Sequence, residues 1–159
     1  MGAMTDIAGL DQWAFGDGLA LADELLALVL DGRKTATCWA AVHGERGTVV
    51  GKPYVILDGA GRPRVILETT ELTQRRFDEV DAAFAYDEGE DDRTLAAWRR
   101  AHEDFFSREN TFAPDMPLYC ERFRIVDIIG SEAGQCNSPS PGSRTTSTPR
   151  PRSARWRTP

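Results

Sequence analysis

The stretch Gly32-Arg33-Lys34-Thr35-Ala36-Thr37 decides how this chain is read, because the hydrophobic period changes there. Before it, Leu21, Leu25, Leu28 and Val29 recur at helical spacing. They predict a helix over residues 19–31, with Asp23 and Glu24 in the favourable first turn. Gly32 is the expected terminator, since glycine enters the left-handed backbone region without a Cβ penalty. After it, residues 35–42 read as a strand. A helix-to-strand junction fixes the direction of the backbone, so Lys34 and Thr37 are aimed into one cleft. The acidic run Glu88-Gly89-Glu90-Asp91-Asp92 can supply carboxylates to it. A lysine, hydroxyls and a carboxylate together suit a small hydrolytic or nucleoside-binding site.

Further along, residues 53–58 and 64–73 are rich in β-forming residues, and Asp58-Gly59-Ala60-Gly61 joins them as a hairpin turn. One helical turn is expected at 77–80 and a helix at 94–106. The latter is capped by Thr94, with Leu95, Trp98, His102 and Phe105 on one face. Residues 118–129 form a closing strand in which Cys120 to Ile125 alternate. Residues 5–18 read as a polar surface segment. A few helices with five or six strands of mixed spacing predict an α+β fold around a small β-barrel.

Composition sets outer limits. A chain of 159 residues is ordinarily one domain. We divide it into a flexible leading segment 1–12, a folded domain 13–130 and a tail 131–159. Met1-Gly2-Ala3 ahead of Met4 reads as a cloning remnant. No apolar run approaches the roughly 20 residues of a membrane helix, and no export signal is visible, so a cytoplasmic protein with no membrane partner is expected. The tail is rich in Ser, Thr, Pro and Arg and is expected to be disordered. It carries five arginines against one glutamate. That leaves −10 on residues 1–130, where 24 acidic groups face 14 basic ones. Such a balance disfavours tight non-specific binding along a phosphate backbone. The three cysteines (Cys38, Cys120, Cys136) show no CxxC spacing and only two histidines are present, so neither a structural zinc site nor another cofactor is expected.

Four pieces carry a resemblance to a known family: Gly32, Lys34 and Thr37 as Gly-x-Lys-x-x-Thr; the hairpin from 54–58 to 68–70; residues 84–90 followed by Trp98-Arg99-Arg100-Ala101-His102; and the closing Cys120-Glu121-Arg122-Phe123. In this order the chain resembles the ASCH-domain proteins, relatives of the PUA-like RNA-binding barrels, over roughly residues 13–126. The resemblance implies a PUA-like mixed β-barrel flanked by helices, a cleft lined by the signature, and an RNA, nucleoside or nucleotide ligand. Some members resemble ribonucleases, and some small ones are amidohydrolases acting on N4-acylated cytidine. For the latter it implies a catalytic set of Lys34, Thr37 and a downstream glutamate, Glu88 or else Glu90.

The residues themselves suggest the roles. Lys34 can activate Thr37, the candidate nucleophile, and Glu88 can donate or accept a proton, its pKa raised by neighbouring acids. Alternatively Lys34 only neutralises a helix end, and Glu88 lies in an exposed acidic loop or in an acid cluster that holds a cation. Thr35 shares the Thr37 face and is the substitute nucleophile. Trp39 shares that face too, as a platform for a base or as a core residue. His102, Tyr86, Glu90, Arg93 and Arg99 are further candidates for substrate contact, with Gly32 shaping the loop. A non-catalytic RNA-binding module, aided by the arginines of the tail, is the rival reading.

Overall fold

A computed structural model describes residues 6–129. The expectations for the tail beyond Ile129 and for the first five residues lie outside the described residues. Five strands and three α-helices follow in the order β1 (Asp11–Trp13), α1 (Leu19–Leu30), β2 (Ala36–Ala40), β3 (Pro53–Leu57), β4 (Pro63–Arg76), α2 (Ala82–Glu88), α3 (Leu95–Arg108) and β5 (Pro117–Ile128). Single 3-10 turns lie at Ala41–His43 and Phe77–Glu79.

The strands make one sheet in the order β1-β3-β4-β5-β2, with β1 parallel to β3 and the other pairs antiparallel. The long strands β4 and β5 pair from Val65 opposite Ile128 to Arg76 opposite Pro117. Register shifts between Ile66 and Leu67 and between Thr69 and Glu71 interrupt that ladder. An extra residue on one strand bends it and increases its twist, and the sheet curls into a half-barrel of the PUA-like type.

Two apolar clusters flank the sheet. One packs α1 (Leu21, Leu25, Leu26, Val29) with Phe15 onto Tyr54, Ile56, Val65, Leu67 and Phe123. The other packs Phe84, Ala85, Trp98 and Phe106 onto Ala36, Ala40, Leu118 and Cys120. Burying a side chain of the Leu or Phe class contributes about 1.5–3 kcal/mol, so each cluster is a substantial anchor.

The sequence reading needs three corrections. The leading segment is not merely a surface wrap: β1 extends the sheet beside β3, and Phe15 is buried. A helix that sequence reasoning missed, α2, precedes the acidic run. Asp81 caps it through the Phe84 amide, and Gly89 ends it at φ +70°. Finally, Asp23 lies beyond the first turn of α1 and accepts a hydrogen bond from the Gly59 amide at 2.7 Å, tying the helix to the β3–β4 turn.

Candidate active site

The end of α1 aims the lysine. Gly32, at φ +79°, donates to the Val29 carbonyl at 3.0 Å, and Arg33 donates to the Leu28 carbonyl at 2.9 Å. These two bonds form a Schellman motif, which turns the chain sharply as the helix stops. The Lys34 amide also donates to Leu28, and the Lys34 side chain runs inward to 2 % exposure. The next residue is fixed from the other side, because the Thr35 amide donates to the Asp87 carbonyl at 2.7 Å. The end of α2 is thereby stitched to the start of β2.

That stitch assembles the site. Lys34 Nζ lies 2.8 Å from Glu90 Oε1 and 3.4 Å from the Glu88 carbonyl oxygen. Both candidate glutamates therefore touch the lysine, but only Glu90 with its carboxylate; Glu88 does so with its backbone carbonyl. The Glu88 carboxylate turns instead to α3, with Oε2 3.0 Å from His102 Nε2. His102 is held by its Nδ1 at 2.9 Å from the Trp98 carbonyl, and its ring stacks on Trp98 with centroids 4.2 Å apart. The spacing of four residues anticipates that stack. Thr37 and Cys38 line a cavity of about 60 Å³ together with Glu88, Glu90 and His102. Phe15, Leu21, Leu25 and Phe105 supply its apolar wall.

The electrostatics follow from burial opposed by pairing. Burial pushes the Lys34 ammonium down, but the carboxylates of Glu90 and Glu88 outweigh it, so its pKa is raised and it stays charged. Sequence reasoning expected neighbouring acids to raise Glu88; burial does push it up. His102 and Lys34 reverse the sign and hold it at about 2. Burial lowers His102 and Glu88 raises it more, leaving a net upward shift. Burial and Glu88 together push the Cys38 thiol well above its ordinary value. Glu88 is thus a buried ion-pair partner at a helix end, not an exposed loop acid.

The remaining candidates lie elsewhere. Gly32 is exposed and acts through its backbone. Thr35 is exposed and donates its hydroxyl to Asp87 at 3.3 Å, away from the cavity. Trp39 is buried against Tyr119, its cross-strand neighbour, with centroids 5.7 Å apart. Its Nε1 donates to Gly44, so it is a packing residue and not an open platform. Tyr86 is exposed, covered by the Arg93 guanidinium 3.5 Å above its ring. Arg93 in turn donates to the carbonyls of Tyr86 and Arg33, clasping the stitch from outside. Arg99 donates to the carbonyls of Asp78 and Val80 and fastens α3. Sequence reasoning missed Cys38 as a cavity residue and Glu121 as a buried acid. Glu121 accepts from Tyr54 at 2.9 Å and Thr69 at 2.6 Å, and burial raises its pKa.

Comparison with known proteins agrees with this architecture. Protein EF3133 from Enterococcus faecalis V583, assigned to family DUF984, is 33% identical, with a TM-score of 0.71 over 84% of this chain and 88% of its own. An ASCH domain from Lactobacillus crispatus JV V101 is 32% identical, with a TM-score of 0.66 over 73% of this chain and 79% of its own. Hypothetical protein PH0355 shares the fold at 9% identity, with a TM-score of 0.53 over 72% of this chain and 97% of its own. No curated protein matches. No helix among the described residues is long and apolar enough to cross a membrane. A family model described as the ASCH domain matches residues 11–127, and that family is generally associated with RNA binding. With three-quarters of its length under that match, the chain belongs to the ASCH domain family.

Proposed function

We propose that the cavity binds a nucleoside bearing an acylated exocyclic amine, of the N4-acylcytidine class, and hydrolyses its amide bond. The observation that carries this reading is the Lys34–Glu90 pair, 2.8 Å apart, whose glutamate lines the cavity together with Thr37. Thr37 Oγ1 attacks the acyl carbon and Glu90 takes its proton. The Lys34 ammonium stabilises the negative charge that develops on the carbonyl oxygen. Collapse transfers the proton to the leaving amine, giving cytidine and an acyl-threonine. Water then releases the carboxylic acid and restores the threonine.

Charge balance favours a neutral acyl group over a phosphodiester. The cationic Lys34 and His102 are each matched by a carboxylate, Glu90 and Glu88, so neither offers an uncompensated charge to phosphate. The apolar wall of Phe15, Leu21, Leu25 and Phe105 suits an acyl chain. Association of the family with RNA supports a nucleobase as the group recognised.

The test is incubation of the purified protein with a panel of N4-acylcytidines and short RNAs, read by mass spectrometry beside Lys34→Ala. Conversion of an acylcytidine to cytidine, absent in the variant, is expected. RNA cleavage lost in the variant would replace this reading with a ribonuclease. Tight RNA binding without turnover of either substrate would replace it with a binding module.

A further inference from the structure

We propose that Cys38, Glu88 and His102 form a site for a divalent metal ion of the zinc class, open to the cavity on its fourth side. Chain spacing conceals it, because the three residues come from β2, the last turn of α2 and the middle of α3. The fold brings one sulfur, one carboxylate oxygen and one imidazole nitrogen within 4.8 Å of one another. Zinc takes thiolate, imidazole and carboxylate, and three protein donors with one open position is its catalytic arrangement.

Three features of the donors fit a metal. The first is the orientation of His102. Its Nδ1 faces the Trp98 carbonyl, which only accepts, so Nδ1 carries a proton and Nε2 points at Glu88. A backbone carbonyl that fixes the ring in this way is the usual support for a metal-binding histidine. The second is Glu88, which is 1 % exposed and whose carboxylate lies within 4.8 Å of the Cys38 sulfur and the His102 nitrogen. A buried carboxylate needs a cation, a role that protonated His102 fills at Oε2 and that a metal ion would take over once the ring is neutral. The third is separation. Nε2 and Oε2 lie 3.0 Å apart, close to the roughly 3.3 Å between two ligands on one tetrahedral zinc.

Charge and access complete the case. A dication with the Cys38 thiolate, the Glu88 and Glu90 carboxylates, the Lys34 ammonium and a neutral His102 sums to zero. As the sulfur–metal and nitrogen–metal bonds form, the Cys38 thiol proton and the Nε2 proton of His102 pass to solvent and nothing is oxidised. The cavity, where Thr37 and Glu90 also sit, offers the open position to water or substrate. This inference does not rest on the hydrolytic reading, since the donors can be tested without any turnover.

The experiment is a cobalt(II) titration of the full chain, stripped of metal and kept reduced, because Cys120 lies directly opposite Cys38 across the strands. One equivalent should produce a near-ultraviolet thiolate-to-cobalt band. Cys38→Ser should abolish the band, and His102→Ala should weaken binding at least tenfold. Cys120→Ser and Cys136→Ser should leave it unchanged. Native mass spectrometry of the zinc-treated wild type should show one added ion, a readout independent of how the variants fold. No band in the wild type at excess cobalt, a band that survives Cys38→Ser, or no zinc adduct would each overturn the site.

Discussion

Gly89 packs its Cα directly against the backbone of Arg33 and Lys34. A Cβ there would overlap the Arg33 carbonyl oxygen and stand 2.8 Å from the Lys34 amide nitrogen. Its φ of +70° is unfavourable for any other residue as well. The close approach holds the end of α2, with Glu88 and Glu90 on either side of Gly89, against the segment carrying Lys34. Gly89→Ala should therefore destabilise the fold by about 2 kcal/mol or more. The proposed hydrolysis should fall further than stability predicts, because the ion pair is pulled apart. Urea unfolding, with turnover measured where the variant remains folded, checks both; an alanine variant of wild-type stability would contradict the packing argument.

The Lys34–Glu90 pair separates stability from chemistry. The two side chains are only 1% and 13% exposed, so removing one partner strands a charge. Glu90→Leu alone should cost about 3 kcal/mol, the usual penalty for an uncompensated buried charge. The double variant Lys34→Met with Glu90→Leu should recover most of that stability, since well-packed apolar residues replace buried ion pairs at little cost. It should stay inactive. A double variant that regained turnover would remove both residues from the mechanism.

Much of this architecture was legible locally. Gly32 ends α1 because a terminator signal needs only its neighbours, and the Asp58 turn and the closing strand are equally local. What escaped reading depends on distant partners. The segment Ala82–Glu88 is a helix of seven residues, too short for periodicity to declare, so its acidic end looked like a solvated loop. Lys34, Glu88 and Glu121 are charged residues whose local pattern predicts exposure, and only pairing across the fold permits their burial. At Cys120 and Glu121 strand β5 is covered on both faces, with Cys120 in one apolar cluster and Glu121 bonded to Tyr54 and Thr69, so alternation fails there. Cys38 is invisible as a cavity residue because its neighbours Glu88 and His102 lie 50 and 64 positions away.

Asp58 gives the β3–β4 turn an acid sensitivity. Its carboxylate accepts from the amides of Ala60 and Arg62 and pairs with the guanidinium groups of Arg62 and Arg64. Led by the backbone bond from Arg62, these interactions hold its pKa at about 2, below the ordinary 3.8. A carboxylate depressed in the folded state contributes stability that is complete above its unfolded value and lost as pH falls through the folded one. Wild-type stability should therefore decline between pH 3.8 and about 2 more steeply than that of Asp58→Asn. Parallel slopes in thermal melts across that range would show that the turn does not rely on the charge.

Thr37 and Thr35 share a strand face by sequence but not a fate in the fold. Thr37 is half-buried in the cavity wall with Glu88, Glu90 and His102. Thr35 is exposed, and its hydroxyl is directed to the Asp87 carbonyl. If Thr37 forms the acyl intermediate, Thr37→Ala should lower kcat by about a thousandfold or more, the scale on which loss of an essential group acts. Thr37→Ser should retain part of the rate, because it keeps the hydroxyl. Thr35→Ala should change stability by about 0.5 kcal/mol or less, as for an ordinary surface substitution, and leave kcat near wild type. Mass spectrometry of the protein quenched during turnover should show the acyl group on the peptide containing Thr37. Acylation that persisted in Thr37→Ala but vanished in Thr35→Ala would reverse the assignment, and full turnover in Thr37→Ala would replace the threonine with an attacking water.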